Sequence, residues 1–331
     1  MQRILGLALA FFLTAPVLAQ DGLPANGPAF LGIYQTWQEQ SVSDPTQTQL
    51  ALLPKTLDVV VIFAARPDLS FDGTNLASTG LQLPFNAQFL AQAIAALKLR
   101  NPNVKVLVSV GGSAYAGGWS NFQPTALLAL ITAIGADGVD LDYEPQAPNC
   151  APVKIDNVAT IKCASDAVWT KIVQRTRAVL PRPYLIGVDG WSVGAYGVGK
   201  FVNYKPVSQY TGSMLWIAQP VGALVDILTI LAYDAGPTFD PSQAYLAYSS
   251  LWRQRRLLLG MTLPPDAQGG LNYTAPRMKF YASTVTASNF GGVALYGVNA
   301  PSNGKTGATL NLPDGAMAMT YICHGLGRGG C

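Results

Sequence analysis

Short apolar runs recur along the chain, and most are followed by a stretch with helical spacing. The runs are rich in Val, Ile and Leu, which is typical of parallel strands that are covered on both faces. We predict one strand from each of eight such runs. They are Phe30 to Tyr34, Asp58 to Ala64, Val104 to Val110, Gly138 to Tyr143, Tyr184 to Val188, Asp226 to Ala232, Leu257 to Thr262 and Gly292 to Tyr296.

The intervening segments have the spacing of amphipathic helices. One apolar stripe runs from Phe89 to Leu97 and stops before Asn101-Pro102, since proline cannot continue a helix. Further helices are predicted at Thr125 to Ile134, Asp166 to Leu180, Pro206 to Pro220, Ser242 to Arg253, Pro276 to Ser288 and about Asp314 to Cys323. Eight strands alternating with helices, without an evident linker, favour an α/β fold with a single closed (β/α)8 TIM barrel over an open doubly wound sheet.

Three carboxylates occupy alternate positions of the fourth predicted strand, in the run DGVDLDYE. Asp140, Asp142 and Glu144 share one side of the strand, and apolar residues take the other side. Pro145 stands where a calcium loop of the EF-hand type needs glycine, so a catalytic role is the favoured interpretation. In a TIM barrel the active site lies at the carboxyl ends of the strands, which is where Glu144 falls.

Neighbouring carboxylates raise one another's pKa, so the outermost one, Glu144, is a candidate general acid near neutral pH. A two-carboxylate retaining glycosidase needs its second carboxylate about 5 to 5.5 Å away across the scissile bond. Asp142 is instead a neighbour on the same strand. If the protein is a glycosidase, its nucleophile is expected to come from elsewhere.

The run from Asp137 to Glu144 resembles the DGxDxDxE signature of glycoside hydrolase family 18, the chitinase family, and Ser109-Val-Gly-Gly112 is similar to that family's SxGG motif. The resemblance implies a substrate-assisted mechanism on polymers of N-acetylglucosamine. Glu144 would act as acid and base, and the 2-acetamido group of the sugar would be the nucleophile. Asp142 would orient that group, and Asp140 would adjust the proton positions behind it.

Further matches to the family follow the same resemblance. Leu231-Ala-Tyr233-Asp234 resembles the family's MxYD motif, which implies that Tyr233 hydrogen-bonds the acetamido oxygen and that Asp234 contacts the substrate. Tyr34 and Ser109 resemble the partners of the inner aspartate. About thirty residues separate the last two strands, too few for the extra domain of deep-cleft members, which favours endo-type cutting.

Aromatic residues near the strand ends are candidates for sugar contacts. The family usually ends its eighth strand with tryptophan, whereas this chain has Tyr296, which offers a smaller flat face. Trp37, Trp119 and Trp191 follow the first, third and fifth predicted strands and could line a sugar cleft or pack in the core.

Composition and the amino-terminal segment predict an exported protein. Only 12% of the 331 residues are charged, and the net charge of +3 is not concentrated in basic runs, so no nucleic-acid partner is expected. Residues 1–19 have the pattern of a secretory signal peptide, and no later run is long enough to span a membrane. We expect a secreted catalytic domain at 20–331, extracellular or, in a Gram-negative host, periplasmic.

Four cysteines fit an oxidising compartment, and their spacing favours Cys150 with Cys163 and Cys323 with Cys331, although three connectivities are possible. The only histidine, His324, lies far in sequence from every motif, which argues against a histidine triad or a His-ligated zinc site. We expect no metal or cofactor, and a monomer.

The sequence leaves the exact activity open. The leading hypothesis is a chitinase whose partners are chitin or N-acetylglucosamine oligosaccharides. The alternatives are an endo-β-N-acetylglucosaminidase acting on N-glycans, because the same residues serve both reactions, and a chitinase-like lectin that binds sugar without cutting it.

Overall fold

Eight parallel strands close into a barrel in the computed structural model, which describes residue 23 and residues 27–253, 255–286, 291–303 and 307–331. In chain order the strands are β1 (Ala29–Gln35), β2 (Val59–Ala65), β3 (Lys105–Gly111), β4 (Gly138–Asp142), β5 (Cys150–Ile155), β6 (Val158–Cys163), β7 (Leu185–Trp191), β8 (Ile227–Leu231), β9 (Arg256–Thr262) and β10 (Gly292–Tyr296). The order around the barrel is β1-β10-β9-β8-β7-β4-β3-β2, and β5 and β6 form a separate hairpin. The predicted (β/α)8 TIM barrel is confirmed.

The barrel strands contribute to two apolar clusters. Leu31 and Ile33 belong to one cluster with the alternate residues of other strands, including Val59, Val61 and Leu185. The residues in between, such as Phe30 and Val60, belong to a second cluster together with residues of the helices. Because side chains alternate along a strand, the first cluster fills the barrel interior and the second packs outside it.

Helices follow most of the barrel strands. They are α1 (Ala87–Arg100), α2 (Pro124–Ile134), α3 (Ser165–Val179), α4 (Pro241–Leu251), α5 (Ala275–Thr284) and α6 (Gly315–Gly325). Three of them start at a side-chain cap; at α1, the Asn86 oxygen accepts a hydrogen bond from the Phe89 N–H at 2.9 Å. None of the helices in the described ranges has the length and apolar composition needed to cross a membrane.

The helix predicted at Pro206 to Pro220 is wrong. The segment between β7 and β8 contains only short 3-10 turns, at Gly199–Phe201, Leu215–Ala218 and Pro220–Leu224. Gly212 has φ = +83°, which breaks a right-handed helix, and each proline lacks the N–H that a helix interior requires. The segment therefore forms a long irregular loop at the carboxyl end of β7.

The hairpin formed by β5 and β6 was not predicted. It follows Glu144 by a few residues, and its central residues, Asp156 and Asn157, have φ of 49° and 64°, as a tight hairpin turn requires. Cys150 lies opposite Cys163 and is bonded to it, and Cys323 is bonded to Cys331. The predicted disulfides are therefore both present in the structure.

Two sequence predictions fall on residues that the structure does not describe. The secretory signal at residues 1–19 lies outside the described residues. The predicted helix Pro276 to Ser288 corresponds to α5, but its last residues, 287 and 288, also lie outside them.

We expect the stability of the barrel to depend on the apolar side chains packed between its strands and its helices. Leu259 on β9 is fully buried there, so Leu259→Ala is expected to lower the free energy of unfolding by about 2 to 5 kcal/mol through lost burial and a residual cavity. Leu99→Ala is the matched control, because Leu99 is 83% exposed and the same truncation there should cost less than about 0.5 kcal/mol. Denaturant unfolding measures both, and equal losses would contradict this assignment of the core.

Candidate active site

The three carboxylates of the DGVDLDYE run lie at the carboxyl end of β4. Asp140 and Asp142 are in the strand, 2% and 4% exposed, and Glu144 is half-buried two residues beyond its end. Parallel pairing places Ser109 of β3 beside Asp140 and Gly111 beside Asp142. All of these groups therefore meet at the same mouth of the barrel.

Glycine at position 111 allows β3 to approach β4 closely. A Cβ atom there would lie 2.1 Å from the Asp142 carbonyl oxygen and 2.7 Å from the Trp119 ring, and φ of Gly111 is +112°. No side chain fits that position without moving the backbone of the strand that bears the carboxylates. The SVGG segment thus sets the position of Asp142 through its backbone.

A cavity of about 490 Å³ opens in front of these carboxylates, within the usual range for a small-ligand site. It combines acidic groups with aromatic rings. Its lining includes Trp37, Phe63, Tyr115, Asp142, Glu144, Asp189, Trp191, Tyr233, Asp234, Gln268 and Tyr296.

Asp142 and Glu144 form a hydrogen-bonded pair of carboxyl groups. Burial raises the pKa of Asp142 well above its usual range, and the negative charges of Glu144 and Asp140 raise it further. Burial also raises the pKa of Glu144, although its hydrogen bonds with Asp142 and with the Ser113 N–H lower that pKa in part. Both shifts favour a proton on this pair, and the greater burial of Asp142 favours that residue as its holder.

Asp140 lies behind this pair and accepts a hydrogen bond from Ser109 Oγ to its Oδ2 at 3.0 Å. Burial raises the pKa of Asp140 to about 6, while hydrogen bonds from Ser109 and Asp189 oppose that rise. Ser109 therefore contacts the inner aspartate, as the resemblance implied. Tyr34 does not, because its hydroxyl donates instead to Glu39, so the prediction for Tyr34 is corrected.

Asp189 is a site residue that the sequence pattern did not single out. It lies on β7, is 4% exposed, and its carboxyl group is hydrogen-bonded to that of Asp140. An aspartate at an inward position of an apolar strand, in the run LIGVDGW, was the signal that could have revealed it.

Tyr233 and Asp234 follow the end of β8 and line the cavity together. Burial raises the pKa of the Tyr233 hydroxyl well above its usual range, and the charges of Asp189 and Asp142 add to the effect. Asp234 is fixed by the next loop: its Oδ1 accepts from the Ala267 N–H at 2.9 Å, and its own N–H donates to Asp266 at 2.8 Å.

Aromatic rings form the walls of the cavity. Trp37 is 41% exposed at the rim, Tyr296 contacts Phe63 edge to face at 5.5 Å, and Trp191 stacks on Tyr210 at 3.8 Å. The structure thus brings Trp37, Trp191 and Tyr296 to one cavity. Tyr210, which the sequence did not indicate, stacks on Trp191.

The prediction that Trp119 contacts the sugar is corrected by the structure. It is buried, and its ring packs against Phe122 and Tyr143 at 5.3 and 5.4 Å behind the carboxyl-bearing strand. Its position follows from the close approach at Gly111, since the ring lies against that residue rather than in the cavity. Trp119 is a packing residue in this structure.

The arrangement suits proton transfer to and from a bound molecule. It offers a half-buried carboxyl group, a buried one hydrogen-bonded to it, and a tyrosine that lines the same cavity. Across the described ranges, no group of three or more His, Cys, Asp and Glu side chains could hold a metal ion.

Solved structures with similar folds include several chitinases. The group II chitinase catalytic domain 2 of Ostrinia furnacalis is 14% identical, with 90% of this chain and 96% of that chain covered and a TM-score of 0.59. A family GH18 chitinase from Chromobacterium violaceum is 15% identical, with 91% and 84% covered and a TM-score of 0.59. The GH18 chitinase from Cycas revoluta, in complex with (GlcNAc)3, is 12% identical, with 90% and 98% covered and a TM-score of 0.56.

These likenesses show a shared fold. No model of a protein family matches this sequence, and no curated protein does.

The buried proton on Asp142 should make stability depend on pH. Because folding raises its pKa, its contribution is fully present below the unfolded pKa of about 3.9 and is lost as pH rises toward the folded pKa. Asp142→Asn removes that loss and keeps a donor for Glu144. The variant is expected to have a higher Tm than the wild type at about pH 7 and a similar Tm at about pH 3.5.

Asp44→Asn is the control of opposite sign. Hydrogen bonds from Thr46 lower the pKa of the exposed Asp44, so its contribution is present above the unfolded pKa and is lost in acid. Asp44→Asn should lower Tm slightly at neutral pH and not in acid. A Tm difference between the wild type and Asp142→Asn that is the same at both pH values would contradict the assignment of a buried proton.

Proposed function

We propose that this chain is a secreted chitinase that hydrolyses β-1,4 linkages of N-acetylglucosamine polymers by endo-type cutting, with retention. The observation on which the proposal rests is the state of Asp142. It faces the cavity beside Glu144, and its buried Oδ1 has no hydrogen-bond partner among the described residues. A buried polar atom without a partner is costly, and the N–H of a 2-acetamido group is a donor that would satisfy it.

Glu144 is the acid and base in this proposal. Burial raises its pKa and so favours its protonated form, and its position at the cavity supports transfer of that proton to the glycosidic oxygen as the bond to the anomeric carbon breaks. The leaving sugar departs with that proton as its new hydroxyl hydrogen. Glu144, now a carboxylate, can then take a proton from the incoming water.

The nucleophile in this proposal is the substrate's own acetamido oxygen. It attacks the anomeric carbon and gives an oxazolinium intermediate, which water then opens with net retention. Asp142 would accept a hydrogen bond from the acetamido N–H and balance the positive charge that develops, while the Tyr233 hydroxyl would donate to the acetamido oxygen. Both groups line the cavity, and the charge of Asp142 raises the pKa of Tyr233. This interaction supports contact of both side chains with the same acetamido group.

The aromatic walls support a sugar polymer as the ligand. Tyr296, Trp37 and Trp191 present rings to one cavity, and apolar faces of pyranose rings pack on such surfaces. The Cycas revoluta chitinase, which shares the fold, is in complex with (GlcNAc)3. Asp234, held by Ala267 and Asp266, would contact the sugar on the side facing Glu144.

Export is part of the proposal. Two disulfides persist most readily in an oxidising compartment, which supports a protein that acts outside the cytosol. We assign the catalytic domain to residues 20–331, after the predicted signal peptide.

Glu144→Gln tests the proposal directly. The amide cannot donate the acid proton, so cleavage of N-acetylchitohexaose should fall by at least about 100-fold, while binding of the oligosaccharide persists. Asp72→Asn, the same chemical change in an exposed loop, should leave the rate unchanged. Product analysis by chromatography and calorimetric binding measure the two effects, and undiminished cleavage by Glu144→Gln would refute the role of Glu144.

The same assays on the wild type separate the alternatives. Release of glycans from a glycoprotein, with N-acetylchitohexaose untouched, would replace the chitinase by an endo-β-N-acetylglucosaminidase. Binding without any turnover would instead favour a lectin. Internal cleavage of the hexamer, with dimers to tetramers formed early, is the expected result for an endo-acting chitinase.

A further inference from the structure

Asp189 is a fourth carboxyl group at the barrel mouth, and the mechanism proposed above does not use it. It comes from β7, the strand next to β4, where Leu141 pairs with Val188; Asp142 and Asp189 follow these two residues directly. Parallel neighbours at the same height point the same way, so Asp189 faces the barrel interior beside the aspartates of β4.

Gly187, two residues before Asp189, makes this contact possible. It pairs with Asp140 across the two strands, and a Cβ atom at Gly187 would lie 2.6 Å from Asp140 Oδ1. The missing side chain gives the Asp140 carboxylate room to lean across to β7. There it meets the carboxyl group of Asp189 at hydrogen-bond distance.

Two carboxyl groups can share a hydrogen bond only if one of them holds a proton. The titratable groups that face Asp189 are Asp140, Asp142, Glu144 and the Tyr233 hydroxyl, so its neighbours are acids. Burial raises the pKa of Asp189, and the charges of Asp140 and Asp142 raise it further. Asp140 also accepts a hydrogen bond from Ser109, which favours its ionised form.

We propose that Asp189 is a positioning residue that carries a proton at neutral pH, donates it in a hydrogen bond to Asp140, and thereby leaves Asp142 free to pair with Glu144. Asp140 then has two donors, Ser109 and Asp189. Without Asp189, the nearest carboxyl proton available to Asp140 would be that of Asp142, and Asp142 would be drawn away from Glu144 and the cavity.

The catalytic part of this inference rests on the proposed glycosidase function, whereas the protonation of Asp189 does not. The two parts are therefore tested by different measurements. If the protein proved not to be a glycosidase, the protonation of Asp189 would still be confirmed or refuted by its own measurement.

The catalytic test compares two variants of nearly equal shape. Asp189→Leu keeps the branched outline but cannot donate, so kcat on N-acetylchitohexaose should fall at least about 10-fold with KM changed less than about 3-fold. The acidic limb of the kcat profile should move to higher pH, because Asp140 loses a donor that lowers its pKa. Asp189→Asn is the conservative rescue: its amide N–H donates to Asp140, so it should restore most of the rate and the wild-type limb.

A wild-type profile for Asp189→Leu would overturn the positioning role. So would an Asp189→Asn variant as impaired as Asp189→Leu, since that would mean that the carboxyl group itself is required. Circular dichroism and thermal denaturation of both variants ensure that only folded proteins are compared.

The protonation test needs no activity. If Asp189 is neutral, Asp189→Asn leaves the net charge of the folded protein unchanged at about pH 7, whereas Asp44→Asn, at an exposed carboxylate with a lowered pKa, makes it more positive by one unit. Capillary electrophoresis resolves single charges between such variants. Equal mobility shifts for both variants would show that Asp189 is ionised and would refute the proposal even if the protein proved to have no hydrolase activity.

Discussion

Burial of several carboxyl groups at one end of the barrel is the constraint to which the rest of the site is adapted. An ionised carboxylate in a low-dielectric interior costs several kcal/mol unless it is paired or hydrogen-bonded. Asp140, Asp142 and Asp189 are each at most 4% exposed. Burial raises the pKa of all three, which favours protonated forms in the cluster, and Ser109 donates a hydrogen bond to Asp140. In the proposed function, the same burial that makes these groups costly favours the protonated form that acid catalysis requires.

The strand register is what permits this cluster. Parallel pairing of β3, β4 and β7 brings Ser109, Asp140 and Gly187 to one level of the interior. Glycine at position 187 leaves volume for the Asp140 carboxyl group, and glycine at position 111 lets the Asp142 backbone approach β3. Deeper in the barrel the inward positions are apolar, as at Leu107 and Leu185. The interior therefore changes from apolar packing to a polar mouth within a few residues of each strand.

Local patterns in the sequence were enough to locate the strands, because a parallel strand covered on both faces is an apolar run wherever it occurs. The predicted and observed bounds of the eight barrel strands differ by at most three residues at either end, the largest difference being at Trp191. The hydrogen-bond and packing partners of side chains were harder to predict, because they depend on the register between segments that are distant in sequence. Tyr34 bonds Glu39 rather than Asp140, and Trp119 packs behind β4. The inward position of Asp189 on its strand could be found in the sequence, but its contact with Asp140 depends on the register between β7 and β4. The β5–β6 hairpin was missed because its strands have no apolar face long enough to predict it.

The proposed reaction requires a proton on Glu144, whereas burial in the free protein favours a proton on Asp142. In the free protein the pKa shifts favour a proton on Asp142 over Glu144, because Asp142 is the more buried group and Glu144 also accepts from the Ser113 N–H. An acid catalyst needs that proton on Glu144. A substrate N–H bound to the free Oδ1 of Asp142 would stabilise the ionised form of Asp142, and the proton would pass to Glu144. In the proposed mechanism, binding of the acetamido group therefore both positions the nucleophile and protonates Glu144. A sugar without that group would leave Glu144 mainly unprotonated.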